Sequence, residues 1–372
     1  MSEKILFVVS DNEYFVSHRL SLAQFFIEQG YKVALATCVT DEKKKQEILA
    51  LGIEIFNLSV RSKGVDTKSD FSIMRQLKSI DQQLQPNYII TVSLRMTFIG
   101  LLAFKFSKAK KLIGMITGLG YLSTSKRWTT KIMKRSVFLL MKLLTKSQKV
   151  SFICQNADDY DYLSKHMIHQ KRLFLIKGSG VDIQQFKPIP EPVTDRIIVV
   201  FVARMLIDKG VLDVCHAAKL LKQTHSEIEI QLVGDIHQQN PNSLSTDELK
   251  QWHAQGYVNW RGHQTDMQSV LASAHIALLP SYREGLPKSL LEAAACAKPM
   301  IATDVPGCRE ICIDRYNGLM VPVKDPQKIA DAIVDLANDA KLRMQYGQNG
   351  RTLVEQKFSN QVVNQQTLAL LK

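Results

Sequence analysis

Between Gln82 and Ala157 the chain has no aspartate or glutamate, yet it carries thirteen lysines and arginines. Those thirteen equal the whole net charge of +13, so the rest of the 372 residues sums to zero. The basic character belongs to one stretch of the first half, which suits a polyanion partner such as anionic lipid. No nucleic-acid-reading motif accompanies it, so nucleic acid is not expected. Long apolar runs are also missing. The longest, such as Met96–Phe104, fall well short of the ~18 residues that span a bilayer. The first ten residues run straight into a strand pattern without a signal peptide. The expectation is a cytoplasmic protein that is not integral to a membrane.

Cysteine is sparse and scattered: Cys38, Cys154, Cys215, Cys296, Cys308 and Cys312. Most lie inside strand- or helix-like runs, as buried, reduced thiols do. Cys308 and Cys312 lack the second pair or nearby histidine that a zinc site needs. Asp159-Tyr160-Asp161 invites a metal reading, but Asn156 as a helix N-cap with acids in the first turn accounts for it better. No metal is expected. A dinucleotide fingerprint is absent too, since Gly118-Leu119-Gly120 supplies two glycines and the pattern wants three.

What is present is alternation. Apolar strand patterns at Lys4–Ser10, Tyr31–Cys38, Ile53–Val60, Asn87–Ser93, Lys111–Thr117 and Lys149–Gln155 are separated by helical ones, among them His18–Gln29 and Asp70–Leu84. Continuous apolar strands of this kind form parallel sheets covered by helices on both faces. Lys177–Asp195 is rich in glycine and proline and reads as a linker. The alternation then restarts at Arg196–Ala203, Glu227–Gly234, Tyr257–Gly262, His275–Ser281 and Pro299–Asp304. The expected α/β architecture is two doubly wound, Rossmann-like domains, residues 1–182 and 195–359, facing each other across a cleft. The last helix, residues 360–372, is a candidate to pack back on the first domain.

Pro280–Glu310 organises the second half: strand end, polar turn, helix, strand. Pro287 suits the first helical position. Glu284 and Gly285 then lie in the turn and Glu292 in the second helical turn. The free N–H groups and positive dipole end of this helix favour an anion. Gly285 permits close backbone approach, and Lys288 adds a cation. A sugar nucleotide needs such a place: a seat for its diphosphate, with carboxylates left to accept hydroxyl hydrogens. Glutamate, seven residues, glutamate, with GLPKSLLEA between them, closely resembles the signature of family-4 retaining glycosyltransferases of the GT-B fold. The resemblance runs over nearly the whole chain.

Arg204 stands at the carboxyl end of the second domain's first strand, and Lys209 and Gly210 open the next helix. A guanidinium fork and an ammonium five residues apart both suit a diphosphate. An Arg204–Asp208 surface pair is the plainer alternative. The resemblance implies that Arg204 and Lys209 meet the donor diphosphate and that Glu284 meets the donor sugar. It makes Glu292 the ribose clamp, with backbone support from Gly285, Leu286, Pro287, Lys288 and Ser289. Arg261, Gly262 and His263 would lie by the base, with Asp266 as a helix cap the competing account of that loop. Without the motif, Glu284 reads as a carboxylate at a helix N-terminus and Glu292 as an exposed helical residue. Val305–Glu310 and Asn317–Asp325 read as mostly structural.

On the first-domain side, the family's usual glycine pair is missing from the loop after the first strand. Ser17-His18-Arg19 stands there, similar to a subgroup of bacterial transferases that build polysaccharides and lipid-linked oligosaccharides. Ile113–Tyr121 also resembles that subgroup. The histidine that relatives often carry near the second loop is replaced here by Thr117-Gly118-Leu119-Gly120. His18, Arg19, Thr117, Gly118 and Tyr121 are the acceptor-side candidates. Ser125–Lys149 reads as a basic, amphipathic helix suited to an anionic membrane surface.

The expectation is a metal-independent, retaining hexosyltransferase with no cofactor beyond its UDP-sugar donor, N-acetylgalactosamine being the leading sugar. Its acceptor would be a polyprenyl-diphosphate-linked saccharide, and its place the inner face of the cytoplasmic membrane. A UDP-N-acetylhexosamine epimerase of the same fold, or a non-catalytic sugar-nucleotide-binding adaptor, are the rivals.

Overall fold

The computed structural model describes residues 2–59, 67–118, 142, 149–166, 170–236, 240 and 242–371. The chain divides into two compact units, residues 1–179 with 363–372, and residues 180–362.

The first unit is built on seven parallel strands. Their spatial order is β3 (Glu54–Asn57), β2 (Lys32–Cys38), β1 (Lys4–Asp11), β4 (Tyr88–Val92), β5 (Lys111–Ile116), β6 (Val150–Cys154) and β7 (Leu173–Leu175). Successive side chains of a strand point to opposite faces, and in β1 both faces are covered. Ile5, Phe7 and Val9 join one core cluster, while Leu6 and Val8 join another. This explains why β1 is apolar without alternation.

The covering helices are α1 (Asn12–His18), α2 (Leu20–Glu28), α3 (Glu42–Ala50), α4 (Thr67–Leu84), α5 (Leu94–Ala103) and α6 (Ala157–His166). Most of the apolar run Met96–Phe104 is α5, which lies close to the sheet. A Cβ added at Gly100 would come within 2.6 Å of Thr91, and one at Gly114 within 2.5 Å of Thr97. The two threonine hydroxyls hydrogen-bond each other at 3.1 Å, away from water. Asn156 caps α6 through Oδ1, which accepts from Asp159 N at 2.8 Å.

Two expectations are corrected. The loop expected after the first strand is instead helical, because Asp11 caps α1 by accepting from Tyr14 N at 2.7 Å. His18 therefore ends α1 instead of opening a helix, and Arg19 is the single residue between α1 and α2. Nor is Lys177–Asp195 a free linker. Val181 and Phe186 sit in the second unit's core, and Val181 bridges to Ser359. The Glu191 carboxylate takes two hydrogen bonds from Arg343 at 2.8 and 2.9 Å. Glycine and proline composition signalled irregular backbone correctly, but irregular backbone can still be packed.

The second unit has six parallel strands in the order β10 (Asn259–Gly262), β9 (Ile228–Val233), β8 (Ile197–Val202), β11 (Ile276–Leu279), β12 (Met300–Thr303) and β13 (Gly318–Val321). Its helices are α7 (Val211–Thr224), α8 (Thr246–Ala254), α9 (Met267–Ala272), α10 (Lys288–Ala295), α11 (Cys308–Ile311), α12 (Pro326–Asn338) and α13 (Ala340–Lys357). The last helix, α14 (Asn360–Ala369), begins where this unit ends. From Val363 on, its residues belong to the first unit. Val363 and Leu371 enter that unit's core beside Ile5 and Phe7, and Asn364 Nδ2 donates to Ser21 O at 3.3 Å.

In each sheet the strand order reverses once, between β1 and β4 and between β8 and β11. Open parallel sheets bind ligands outside the carboxyl ends of the strands at such reversals.

Candidate active site

The β8/β11 reversal gathers the residues singled out in the second half. After β8 the chain passes exposed Arg204 and buried Met205, then makes one 3-10 turn, Ile207–Lys209. Gly210 follows at φ +79°, and a Cβ there would lie 2.1 Å from Pro280 O. Only glycine lets the start of α7 come that close to the end of β11. Lys209 thus closes the 3-10 turn, and α7 itself starts at Val211, a correction to the expected helix start.

The loop after β11 is fastened to that turn. Tyr282 N donates to Asp208 O at 2.9 Å, and the Ser281 hydroxyl lies 3.0 Å from the same oxygen. The Thr303 hydroxyl donates to Ser281 O. The Tyr282 hydroxyl hydrogen-bonds the Asp213 carboxyl, which burial pushes above the usual carboxylate range. On the other side, Gly307 at φ +82° lets α11 approach. A Cβ there would stand 2.5 Å from Gly285 O and 2.9 Å from Glu284 O.

This scaffold brings Lys209 Nζ to 2.5 Å from Glu284 Oε1, with the Glu284 side chain 9% exposed. Arg204 is not paired with Asp208, whose carboxylate accepts from Asn242 Nδ2 at 3.3 Å. Arg204, Lys209 and Glu284 therefore stand on two connections stitched into one unit.

Pro287 is the N-cap of α10, with extended backbone (φ −71°, ψ 119°), and not its first helical residue. Having no N–H and no side-chain acceptor, it leaves the first-turn N–H groups of Lys288, Ser289 and Leu290 without a side-chain cap. No acid stands in that first turn. Uncapped N–H groups at a helix start are an anion seat. Glu292, in the second turn, is 7% exposed, not the exposed residue of the plainer reading. Burial pushes its carboxyl above the ordinary value, and Lys288 at 3.2 Å offsets this in part. Leu286 packs against the unit's core.

Arg261 and Gly262 end β10 and His263 follows it, at the same sheet edge but two strands from β8. The Arg261 guanidinium is held along the sheet by Gln231 Oε1 at 3.0 Å. Gly234 N donates to Gly262 O at 2.8 Å, and Trp260 Nε1 to Gly234 O at 3.1 Å. Asp266 does cap α9, accepting from Ser269 N at 3.0 Å.

In the first unit, the His18 ring stacks on Tyr14 with centroids 4.2 Å apart, and its Nδ1 lies 2.7 Å from the Ser17 hydroxyl. Arg19 is 2% exposed. Thr117 and Gly118 follow β5, with β4 between that strand and β1. Tyr121 lies outside the described residues, as does Ser125–Lys149 apart from Lys142 and Lys149. Among the described residues no helix is long and apolar enough to cross a membrane.

Sequence reasoning missed Ser281, Thr303, Tyr282 and Asp213, which carry no local pattern. It took Gly307 as structural, and the structure makes it the support under the Glu284–Gly285 backbone.

The family model described as "Glycosyl transferases group 1" matches residues 182–353. The one described as "Glycosyl transferase 4-like" matches residues 4–156. The chain is 26% identical over 327 residues to N,N'-diacetylbacillosaminyl-diphospho-undecaprenol alpha-1,3-N-acetylgalactosaminyltransferase of Campylobacter jejuni, covering 84% of each chain. It is 21% identical to UDP-Gal:alpha-D-GlcNAc-diphosphoundecaprenol alpha-1,3-galactosyltransferase of Escherichia coli, covering 75% of this chain and 72% of that one. Among solved structures, Anabaena HepE in complex with UDP superposes with a TM-score of 0.79 at 17% identity, covering 99% of both chains. The two family matches fall one on each unit, each on a doubly wound parallel sheet, and the chain belongs to the GT-B glycosyltransferases.

Proposed function

We propose that the protein is a retaining transferase that moves a sugar from a UDP-sugar to a polyprenyl-diphosphate-linked saccharide. N-acetylgalactosamine is the leading donor sugar, by likeness to the Campylobacter enzyme. The acceptor class rests on the printed activities of that enzyme and the Escherichia coli one. A lipid-linked acceptor would hold the protein at the inner face of the cytoplasmic membrane.

The observation that carries this reading is the uncapped start of α10 beside the Lys209–Glu284 pair, at a strand-order reversal. In the free protein Lys209 is neutralised by Glu284. A diphosphate on α10 would draw Lys209 to itself, with Arg204 as a second, forked cation. Glu284 is then free to accept hydrogens from the donor sugar. Glu292, buried on the same helix, would clamp the ribose hydroxyls, and the backbone from Gly285 to Ser289 would line the phosphates. The chemistry is mainly electrostatic: fixed cations and helix N–H groups meet the charge that develops on the departing diphosphate. That diphosphate can take the acceptor proton on the face it leaves, so anomeric configuration is kept without a strong protein base. No cofactor is needed beyond the donor.

The test is a panel of UDP-sugars with and without a polyprenyl-diphosphate saccharide, reading UDP release. Release that requires the lipid is expected, strongest with UDP-N-acetylgalactosamine. Interconversion of sugars without lipid would make the protein an epimerase, and binding without either reaction an adaptor. Glu284→Ala should lower transfer by about 100-fold or more while circular dichroism stays unchanged. Full activity in that variant would remove Glu284 from the site.

A further inference from the structure

In the free protein Glu284 is held by Lys209 at 2.5 Å. A diphosphate that draws Lys209 to itself removes that hold, and Glu284 must then keep its aim by other means. The loop that carries it is short, lying between the end of β11 at Leu279 and the start of α10 at Lys288. Its fixed point is Tyr282, two residues before Glu284. Three connections at the carboxyl edge of the sheet reach this one side chain and its backbone. The Tyr282 N–H donates to Asp208 O, in the turn after β8, at 2.9 Å. The Tyr282 hydroxyl hydrogen-bonds the carboxyl of Asp213, in the first turn of α7. The Lys324 ammonium lies 5.2 Å from the centre of the Tyr282 ring, an arrangement that cation and ring quadrupole favour. Lys324 comes from the connection between β13 and α12 and holds φ +60°. That left-handed conformation costs energy in a residue with a side chain and persists where the surroundings over-determine it.

Asp213 is the costly member of this group. It is 7% exposed, and its Oδ2 is buried without a hydrogen-bond partner. Burial pushes its carboxyl above the ordinary value, while the Tyr282 hydroxyl, His216 one turn along α7 and Lys324 pull it back down. Val211 and Val214 beside it on α7 are buried. An apolar residue at 213 would fill the place without a half-satisfied acid. What the acid supplies, and a valine or leucine cannot, is an acceptor for the Tyr282 hydroxyl.

We propose that Asp213, acting through Tyr282, is a positioning residue that keeps Glu284 aimed at the donor sugar once Lys209 has turned to the diphosphate. The transferase reading enters only in what Glu284 meets; the anchor at Tyr282 does not depend on it. The effect belongs to the transfer step, because UDP alone carries no sugar for Glu284.

The experiment compares the wild type with Tyr282→Phe, Asp213→Leu and Asp213→Asn. Calorimetric titration with UDP should give affinities within about twofold of the wild type for all three. Turnover in transfer from the UDP-sugar to the lipid-linked acceptor should fall about tenfold or more in Tyr282→Phe and Asp213→Leu, since a displaced group loses its aim. Asp213→Asn keeps an acceptor oxygen and should restore most of that turnover. In the Glu284→Ala background, Tyr282→Phe should cause no further loss, because the two residues act as one unit. Hydrogen exchange of residues 281–286 should quicken in Tyr282→Phe, most with UDP present, where Lys209 no longer holds Glu284. Tyr282→Phe deletes a single oxygen and carries the test if Asp213→Leu fails to fold. Unchanged turnover, equal losses in UDP affinity and turnover, a full further loss in the Glu284→Ala background, an Asp213→Asn no better than Asp213→Leu, or unchanged exchange overturns the proposal. A wild type that releases no UDP from any donor would instead undo the transferase reading, and the exchange comparison then decides the anchor alone.

Discussion

Glu292 is a carboxylate held where burial disfavours its charge, with Lys288 3.2 Å away as partial compensation. An acid whose folded pKa is raised binds protons more readily folded than unfolded. Its contribution is therefore most favourable at low pH and declines as pH rises from the ordinary value of 4.5 through the raised one. Glu292→Gln removes that decline. Its stability gain over the wild type should therefore grow as pH rises above 4.5. If Glu292 clamps the ribose as proposed, UDP affinity should also fall about tenfold. Urea melts across pH and calorimetric UDP titration check the two halves. Parallel pH profiles for the two proteins would contradict the first. The pair Glu284 and Glu292 was legible in the sequence because seven residues of turn and helix separate them. Burial of Glu292 was not, because it depends on what α10 packs against.

At the scale of elements, the loop from Pro280 to Gly285 takes its shape from neighbours on three sides. Gly210 and the 3-10 turn hold one side, Thr303 another, and Gly307 at the start of α11 a third. Gly307→Ala would put a methyl group 2.5 Å from Gly285 O on a backbone at positive φ. The variant should lose roughly 1–3 kcal/mol of stability and at least about tenfold in UDP affinity, because displaced donors lose their aim. A variant that melts lower yet binds UDP as tightly would separate the glycine from the site. Strand and helix order was readable from apolar runs alone. α1 was taken for a loop because its polar start hid the Asp11 cap. β7 and β13 were not expected from the sequence.

For the whole molecule, the C-terminal segment has the largest reach. α14 starts where the second unit ends, yet Val363 and Leu371 complete the first unit's core. Deleting residues 360–372 should therefore destabilise the first unit by several kcal/mol, since two buried aliphatic side chains go at ~1.5–3 kcal/mol each. Hydrogen exchange should accelerate in β1 and α2 and stay unchanged in β8 and β11. Equal acceleration in both units would refute this division. The sequence by itself determined two parallel-sheet halves, a glutamate pair with cations beside a helix start, and a basic first half. All of these follow from side-chain type and near-neighbour spacing. Only the tertiary structure decided that Lys209 meets Glu284 across 75 positions and that Gly307 supports the loop. It alone decided that Val181 and Phe186 enter the second unit's core and that Arg19 is 2% exposed. These depend on where distant backbones come to rest, which packing of whole sheets decides and local spacing cannot encode.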